Sequence, residues 1–297
     1  MSLRAVIASA VAVAAIAVAC SNDTTGPTLT PVPPPPAHVY VADLSGFVLV
    51  FDAPLTNSSV AVDTITQSQA LGVAVDDSGN LAVSGLSHWV YLYPKPLSSA
   101  STPTDSVKSD PYFGFPAFGP DGKLYVATQG PHVFAYAAPV TGASAADTIK
   151  DSLHDAYSVA FDRQRRLYVN DPVGGGVRVF DPPYTGAPAF SVDSGMGNIE
   201  GIAVDASGRL LAANHSFNRI LIYTPPLSGA REPSDSIMTG ARIPEGIAIG
   251  GDGYLYVVSQ YDSTILVYHP PFSHTSTPAV VMHGGGLGGP YGIAVGK

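Results

Sequence analysis

The chain has 297 residues, a formal net charge of −9 and only 12% charged residues. Nucleic acid and anionic lipid surfaces are bound through clustered Lys and Arg, and this composition excludes both as partners. A single cysteine, Cys20, excludes an internal disulfide.

Taken from its start, the sequence divides into three parts. Residues 1–19 carry one positive charge at Arg4 and an apolar run rich in Ala and Val. That run is short for a membrane span and has the form of a signal peptide. It ends in Ala17-Val18-Ala19-Cys20, which resembles a bacterial lipobox; the resemblance implies cleavage before Cys20 and lipidation of that residue. The competing reading is an ordinary secretory signal followed by a chance cysteine. Residues 20–37 lack apolar periodicity and end in a proline run, the composition of a disordered to polyproline spacer. The expected address is the bacterial cell envelope, with membrane attachment through the lipid alone.

Residues 38–297 repeat. A small alanine flanked by apolar β-formers recurs at Ala74, Ala117, Ala160, Ala203, Ala248 and Ala294, at steps of 43, 43, 43, 45 and 46 residues. An aromatic residue followed three positions later by proline recurs as Phe51/Pro54, Tyr93/Pro96, Tyr136/Pro139, Phe180/Pro183, Tyr223/Pro226 and Tyr268/Pro271. Such a period with several short strands per unit predicts an all-β, six-bladed β-propeller. In the unit around Ala203, three strands are expected at 201–205, 209–213 and 219–223. Asp, Ser and Gly between the first two strands read as turn chemistry, against the sharper alternative of metal ligation. The first unit begins at His38 without an inner strand, while Gly292-Ile293-Ala294-Val295 stands unpaired at the end. The C-terminal strand is therefore expected to complete the first blade and close the ring.

The pattern resembles the NHL-repeat type of six-bladed propeller, close to the gluconolactonase and senescence-marker-protein superfamily. Pro244-Glu245-Gly246-Ile247-Ala248-Ile249, Pro290-Tyr291-Gly292-Ile293-Ala294-Val295 and the Asp-Gly-Tyr-Leu-Tyr-Val at 252–257 carry the likeness. It implies the fold for residues 38–297, and for activity both metal-dependent enzymes and pure binding modules.

Candidate chemistry falls at one mouth of the channel. The residues before the inner strands are Leu71, Gly114, Tyr157, Glu200, Glu245 and Tyr291; those after the second strands are Asp43, Gly85, Thr128, Asp171, Asn214 and Ser259. Glu200 and Glu245 hold equivalent places in adjacent blades. With Asp171 and Asn214 they could offer oxygens to Ca²⁺ or another divalent cation; the bland reading is a solvated rim. His215 could serve as base or ligand, or as a polar loop residue. Tyr157, Tyr291 and Trp89 could stack a ligand, although Trp89 starts an outer strand where packing is its simpler task. Gly284 to Gly289 satisfies a GxGxxG spacing but leads into a strand, so the dinucleotide reading lacks its helix. Two functions follow. The first is a surface-anchored monomer that binds a protein, peptide or glycan at the mouth without catalysis. The alternative is a metal-dependent hydrolase or lyase of the gluconolactonase-like kind, which needs a buried convergent ligand set.

Overall fold

The structure is a computed structural model that describes residues 38–109 and 114–297. The expected signal, Cys20 and the spacer lie outside the described residues. Within them, 24 strands form six four-stranded antiparallel sheets. In the fifth, β16 (Ile199–Val204), β17 (Leu210–Asn214), β18 (Arg219–Tyr223) and β19 (Asp235–Met238) run from the channel outward. The first three match the expected strands. The fourth completes each blade at its outer edge.

The inner three strands read as nearly continuous apolar runs, because successive side chains point to opposite faces and both faces of each sheet are covered by neighbouring blades. The core is accordingly six clusters, one between each pair of adjacent blades. Ala203, for instance, packs with Leu211 and Ile220 of its own blade and with Ile247 and Val257 of the next. Third-strand tyrosines reach back to the loop from the preceding blade: Tyr223 Oη donates to the Ser194 carbonyl at 2.8 Å, and Tyr268 Oη to Thr239 at 3.2 Å. All six prolines of the aromatic–x–x–Pro pattern follow cis peptide bonds, at the turn where each third strand ends.

The ring closes as the chain ends predict. β24 (Pro290–Gly296) pairs antiparallel with β1 (His38–Asp43), placing Val39 opposite Val295 and Val41 opposite Ile293. The resulting sheet has the order β24, β1, β2 (Phe47–Asp52), β3 (Asp63–Thr66). Ile293 enters the cluster between the last and first blades, and Ala294 the cluster between the first and second. One strand therefore serves two interfaces.

Inner strands crowd the axis, and glycine makes this possible. A Cβ on Gly246 would stand 2.6 Å from the Tyr291 carbonyl oxygen of the next blade, and one on Gly201 the same distance from that of Glu245. Contact at that distance excludes any side chain. The third and fourth blades replace this glycine with Phe115 and Ser158, and Ser158 Oγ donates to the Glu200 carbonyl at 2.6 Å.

Candidate metal centre at the channel mouth

The polar mouth is aimed by backbone irregularities. The ladder slips between Ile199 and Ile202 in β16, and between Pro244 and Ile247 in β20 (Pro244–Ile249). A bulge leaves its extra residue unpaired and re-aims its side chain, and those residues include Glu200 and Glu245. His215 arrives from the loop after β17. There Asn214 caps the 3-10 turn His215–Phe217: its Oδ1 accepts from Phe217 N at 2.9 Å and its Nδ2 donates to the Met196 carbonyl at 2.6 Å.

Three side chains thus meet. His215 Nδ1 lies 3.1 Å from Glu245 Oε1 and 3.9 Å from Glu200 Oε1, and one ligand atom from each residue falls within 4.8 Å of the others. Glu245 is 1% exposed and Glu200 9%. The His215–Glu245 approach is off the hydrogen-bonding direction, so Nδ1 is unpartnered, as are Oε2 of Glu200 and Oε2 of Glu245. Buried polar atoms are nearly always paired, and leaving one unpaired costs about 1–3 kcal/mol, more if it is charged. Three such atoms in one cluster is an arrangement waiting for a partner.

The electrostatics carry the same strain. Burial, and after it the Glu200 carboxylate, pushes Glu245 up to about 9. Burial also raises Glu200, against a hydrogen bond from Tyr157 that favours its ionised form, and Asp155 adds to the rise. Burial lowers His215. Without a cation, Glu245 is protonated at neutral pH; a divalent cation would let both carboxylates ionise.

The donor set fits such an ion. Four ligands tetrahedral about an ion at about 2.1 Å lie about 3.4 Å from one another, and the 3.1 and 3.9 Å separations bracket that value. Two carboxylates with one imidazole suit Zn²⁺ or Mn²⁺ better than Ca²⁺, which prefers oxygen alone. Three protein ligands leave at least one position open, as catalytic rather than structural sites do.

Asp171 and Asn214 are not brought to this point. Asp171 is fully buried and accepts from the amides of His154 (3.2 Å), Asp155 (2.8 Å) and Gly174 (3.0 Å). Asn214 is consumed by its cap. Asp43 likewise accepts from Ser45, Gly288 and Gly289 amides at 2.9 to 3.1 Å. In the column after the second strands, Asp43, Asp171 and Asn214 latch that strand end to the loop entering its blade. Gly85 has no side chain, and Thr128 bonds the His132 carbonyl in the loop that follows. Ser259 joins the latches through the Arg242 carbonyl at 2.5 Å.

The other half of the mouth is aromatic. Tyr157 and Tyr291 hydroxyls meet at 2.6 Å, and the Phe115 ring stacks on Tyr291 at 5.7 Å and 9°. Burial above all holds both phenols protonated, with Glu200 next for Tyr157 and Glu245 next for Tyr291. Phe115 is the residue that sequence reasoning missed. Its signal is a bulky ring where four of the other blades carry glycine and one carries serine. Trp89 stands away from the mouth, 43% exposed at the start of β6 (Trp89–Tyr93). Below the mouth runs a channel of 290 Å³ lined by inner strands, with Val73, Val159, Ile202, Ile247 and Ile293 among its walls.

No family model and no curated protein sequence matches the chain. Among solved structures it is similar to a Bacteroides caccae protein of unknown function, at 11% identity and TM-score 0.67, covering 88% of this chain and 99% of that one. It is also similar to a chain from a nidogen/laminin complex, at 15% identity and TM-score 0.66, covering 88% and 98%. At these identities the likeness establishes the six-bladed propeller and no more.

Proposed function

We propose that this is an exported, lipid-anchored propeller whose mouth holds a divalent cation on Glu200, His215 and Glu245 and acts as a hydrolase or lyase of the gluconolactonase-like kind. The observation that supports this reading is the convergence of Glu200, Glu245 and His215 within 4.8 Å, where His215 Nδ1 and the Oε2 atom of each carboxylate are buried without a partner. A bound cation would supply Lewis-acid polarisation of a substrate oxygen. The chain supplies the rest. The two carboxylates and the imidazole would hold the ion, above a channel lined by the inner strands. Tyr157 orients Glu200, and the Phe115–Tyr291 stack offers a flat wall opposite the polar half. Binding without catalysis needs no convergent buried set, so the geometry favours the enzyme of the two readings.

Thermal melting with chelator and with Zn²⁺, Mn²⁺ or Ca²⁺ tests it. A cation at a hundredfold excess over its Kd adds about 2.7 kcal/mol of stability, a rise of several degrees. Glu245→Gln and His215→Ala should each remove most of that rise, and with it any turnover of small esters or lactones. Asp171→Asn should lower melting with and without metal but leave the rise intact. Superimposable curves in every ion would end the metal reading.

The anchor is tested separately. Cys20→Ser should shift the protein from the membrane fraction of its host to the soluble one. Unchanged membrane association of that variant would leave the lipid without a role.

A further inference from the structure

The two ends of the propeller differ in chemistry. Six loops join second to third strands at the mouth end, at 44–46, 86–88, 128–132, 172–175, 215–218 and 260–263. Five of them expose a large apolar side chain: Leu44, Leu86, Val173, Phe217 and Tyr261, between 37% and 71% exposed. The sixth exposes Pro131, and Trp89 follows the Leu86 loop at the start of β6. The turns at the other end, at 76–80, 119–123, 162–166, 205–209 and 250–254, are polar. They hold eleven Asp, Lys and Arg residues and no exposed large apolar side chain. The six mouth-end loops hold one such charge, Asp262, which pairs with Arg242 at 3.3 Å. Equivalent loops in a ring of like blades stand at one level. The exposed side chains therefore form a ring of apolar tips around the polar recess.

We infer that this end of the propeller docks on an uncharged lipid surface, its apolar tips entering the bilayer interface around the mouth. Exposed apolar side chains scattered singly need no explanation, but a set repeated at one loop in five blades marks a contact surface. The arrangement selects the partner. A protein interface has an apolar centre and a polar rim, whereas here the tips are peripheral and the central recess is polar. Each separated tip would need its own pocket in a rigid partner. A fluid interface receives all of them, and it suits Trp and Tyr, which are apolar at one end and wet at the other. Charge selects the lipid. Among the described residues, the loops entering the inner strands at this end add Lys150 and Arg242 against Asp151, Asp155 and Asp193. That is no basic patch for anionic head groups. Arg219 and Arg242 lie over the Phe217 and Tyr261 rings, 5.0 and 3.7 Å from their centres, where a long stem keeps its charge at the wet boundary. The 18 residues at 20–37 reach at most about 60 Å, and β1 is about 20 Å long, so an anchor at Cys20 allows this end to meet the bilayer. The rim needs neither that anchor nor a cation at the mouth. It adds a second membrane contact to the lipid, which the sequence alone led us to expect as the sole attachment.

Trp89 is the only tryptophan of the chain, so its fluorescence reports on this end directly. Its emission is followed on the full chain, in EDTA, as phosphatidylcholine vesicles are added. Docking should move the emission to shorter wavelength. Lipids brominated near the head-group end should quench it more than lipids brominated near the chain ends, as interfacial depth requires. Val173→Ser combined with Phe217→Ser should remove most of the shift and of the quenching. Both lie in other blades, so the surroundings of Trp89 stay intact, and a melting curve shows that the variant is folded. Val60→Ser with Val62→Ser, exposed on the loop that follows β2 at the other end, should leave both signals unchanged. Glu245→Gln should leave them unchanged too, which separates docking from the metal reading. Vesicle-bound protein whose Trp89 emission does not move would leave attachment to the anchor alone and overturn the inference. Signals that survive the Val173 and Phe217 substitutions would do the same, as would a large gain when phosphatidylglycerol replaces half of the lipid. A shift that grows with protein concentration without lipid would assign the face to a second copy and equally overturn it.

Discussion

Deleting Pro290–Lys297 is expected to leave no folded monomer. Those residues form β24, which pairs with β1 along its whole length and gives Ile293 and Ala294 to two different core clusters. Without them Val39, Val41 and the main chain of β1 face an open seam, an unprotected edge of the kind that aggregates. The Tyr40 hydroxyl also loses its acceptor, the Lys297 carbonyl at 3.1 Å. Folded domains are stable by only about 5–15 kcal/mol, and removing the inner strand of a blade with its share of two interfaces exceeds that margin. Size-exclusion chromatography and circular dichroism of the truncated chain should show aggregate or unfolded protein. A monomer with a cooperative melt near that of the parent would place the seam elsewhere.

The metal-free protein is expected to lose stability as pH rises from about 4.5 to about 9. Glu245 has a folded pKa raised to about 9, above that of the unfolded chain, so the folded state binds the extra proton across this window. Its stabilising effect is complete below the unfolded carboxylate pKa, about 4.3, and is lost as pH climbs through the folded value. Glu200, also raised, acts in the same direction. His215 is lowered by burial and acts oppositely, gaining stability as pH rises through the narrower range up to its ordinary value near 6.5. Glu245 sets the sign because its shift is the large one, and the net fall should be on the order of a few kcal/mol. Glu245→Gln should flatten it. Saturating cation should reverse it, because the bound form needs both carboxylates ionised and protons compete with the metal. Melting temperatures from pH 5 to 9, with and without chelator, check the sign. A metal-free protein that gains stability steadily to pH 9 would contradict the buried, strained pair.

What the sequence makes legible follows from where repetition constrains side chains. The Ala203 and Tyr223 columns lie in strands packed between blades, so their size is fixed and the period is plain. The fourth strand is an outer edge, with one side toward solvent and little apolar alternation to announce it. Its signal is quieter: Asp, then Ser or Thr, then Ile or Val, at 63–65, 105–107, 147–149 and 235–237. In three of these the Asp carboxylate accepts the next residue's amide. At the mouth, repeat position identifies Glu200 and Glu245 because both stand in bulges at the same offset. It does not separate Asp171 from them, since offset fixes where a residue stands and not which way its carboxylate turns. Three loop amides turn Asp171 inward. The loop column marks His215 as a candidate base or ligand, but what turns it toward the two glutamates is the 3-10 turn that Asn214 caps, a loop detail no periodicity encodes. Repeat position brings Tyr157, Glu200, Glu245 and Tyr291 to the mouth but does not divide it into polar and aromatic halves, and Phe115 stands one residue beyond the column, behind its glycine neighbour.

The most direct test of the mouth is anomalous diffraction from crystals grown with Zn²⁺ or Mn²⁺, recorded at the metal edge. One strong peak is expected at about 2.1 Å from Glu200, Glu245 and His215 Nδ1, facing the channel with a position open to solvent. An empty mouth at saturating metal, or a peak held by other residues, would contradict the account.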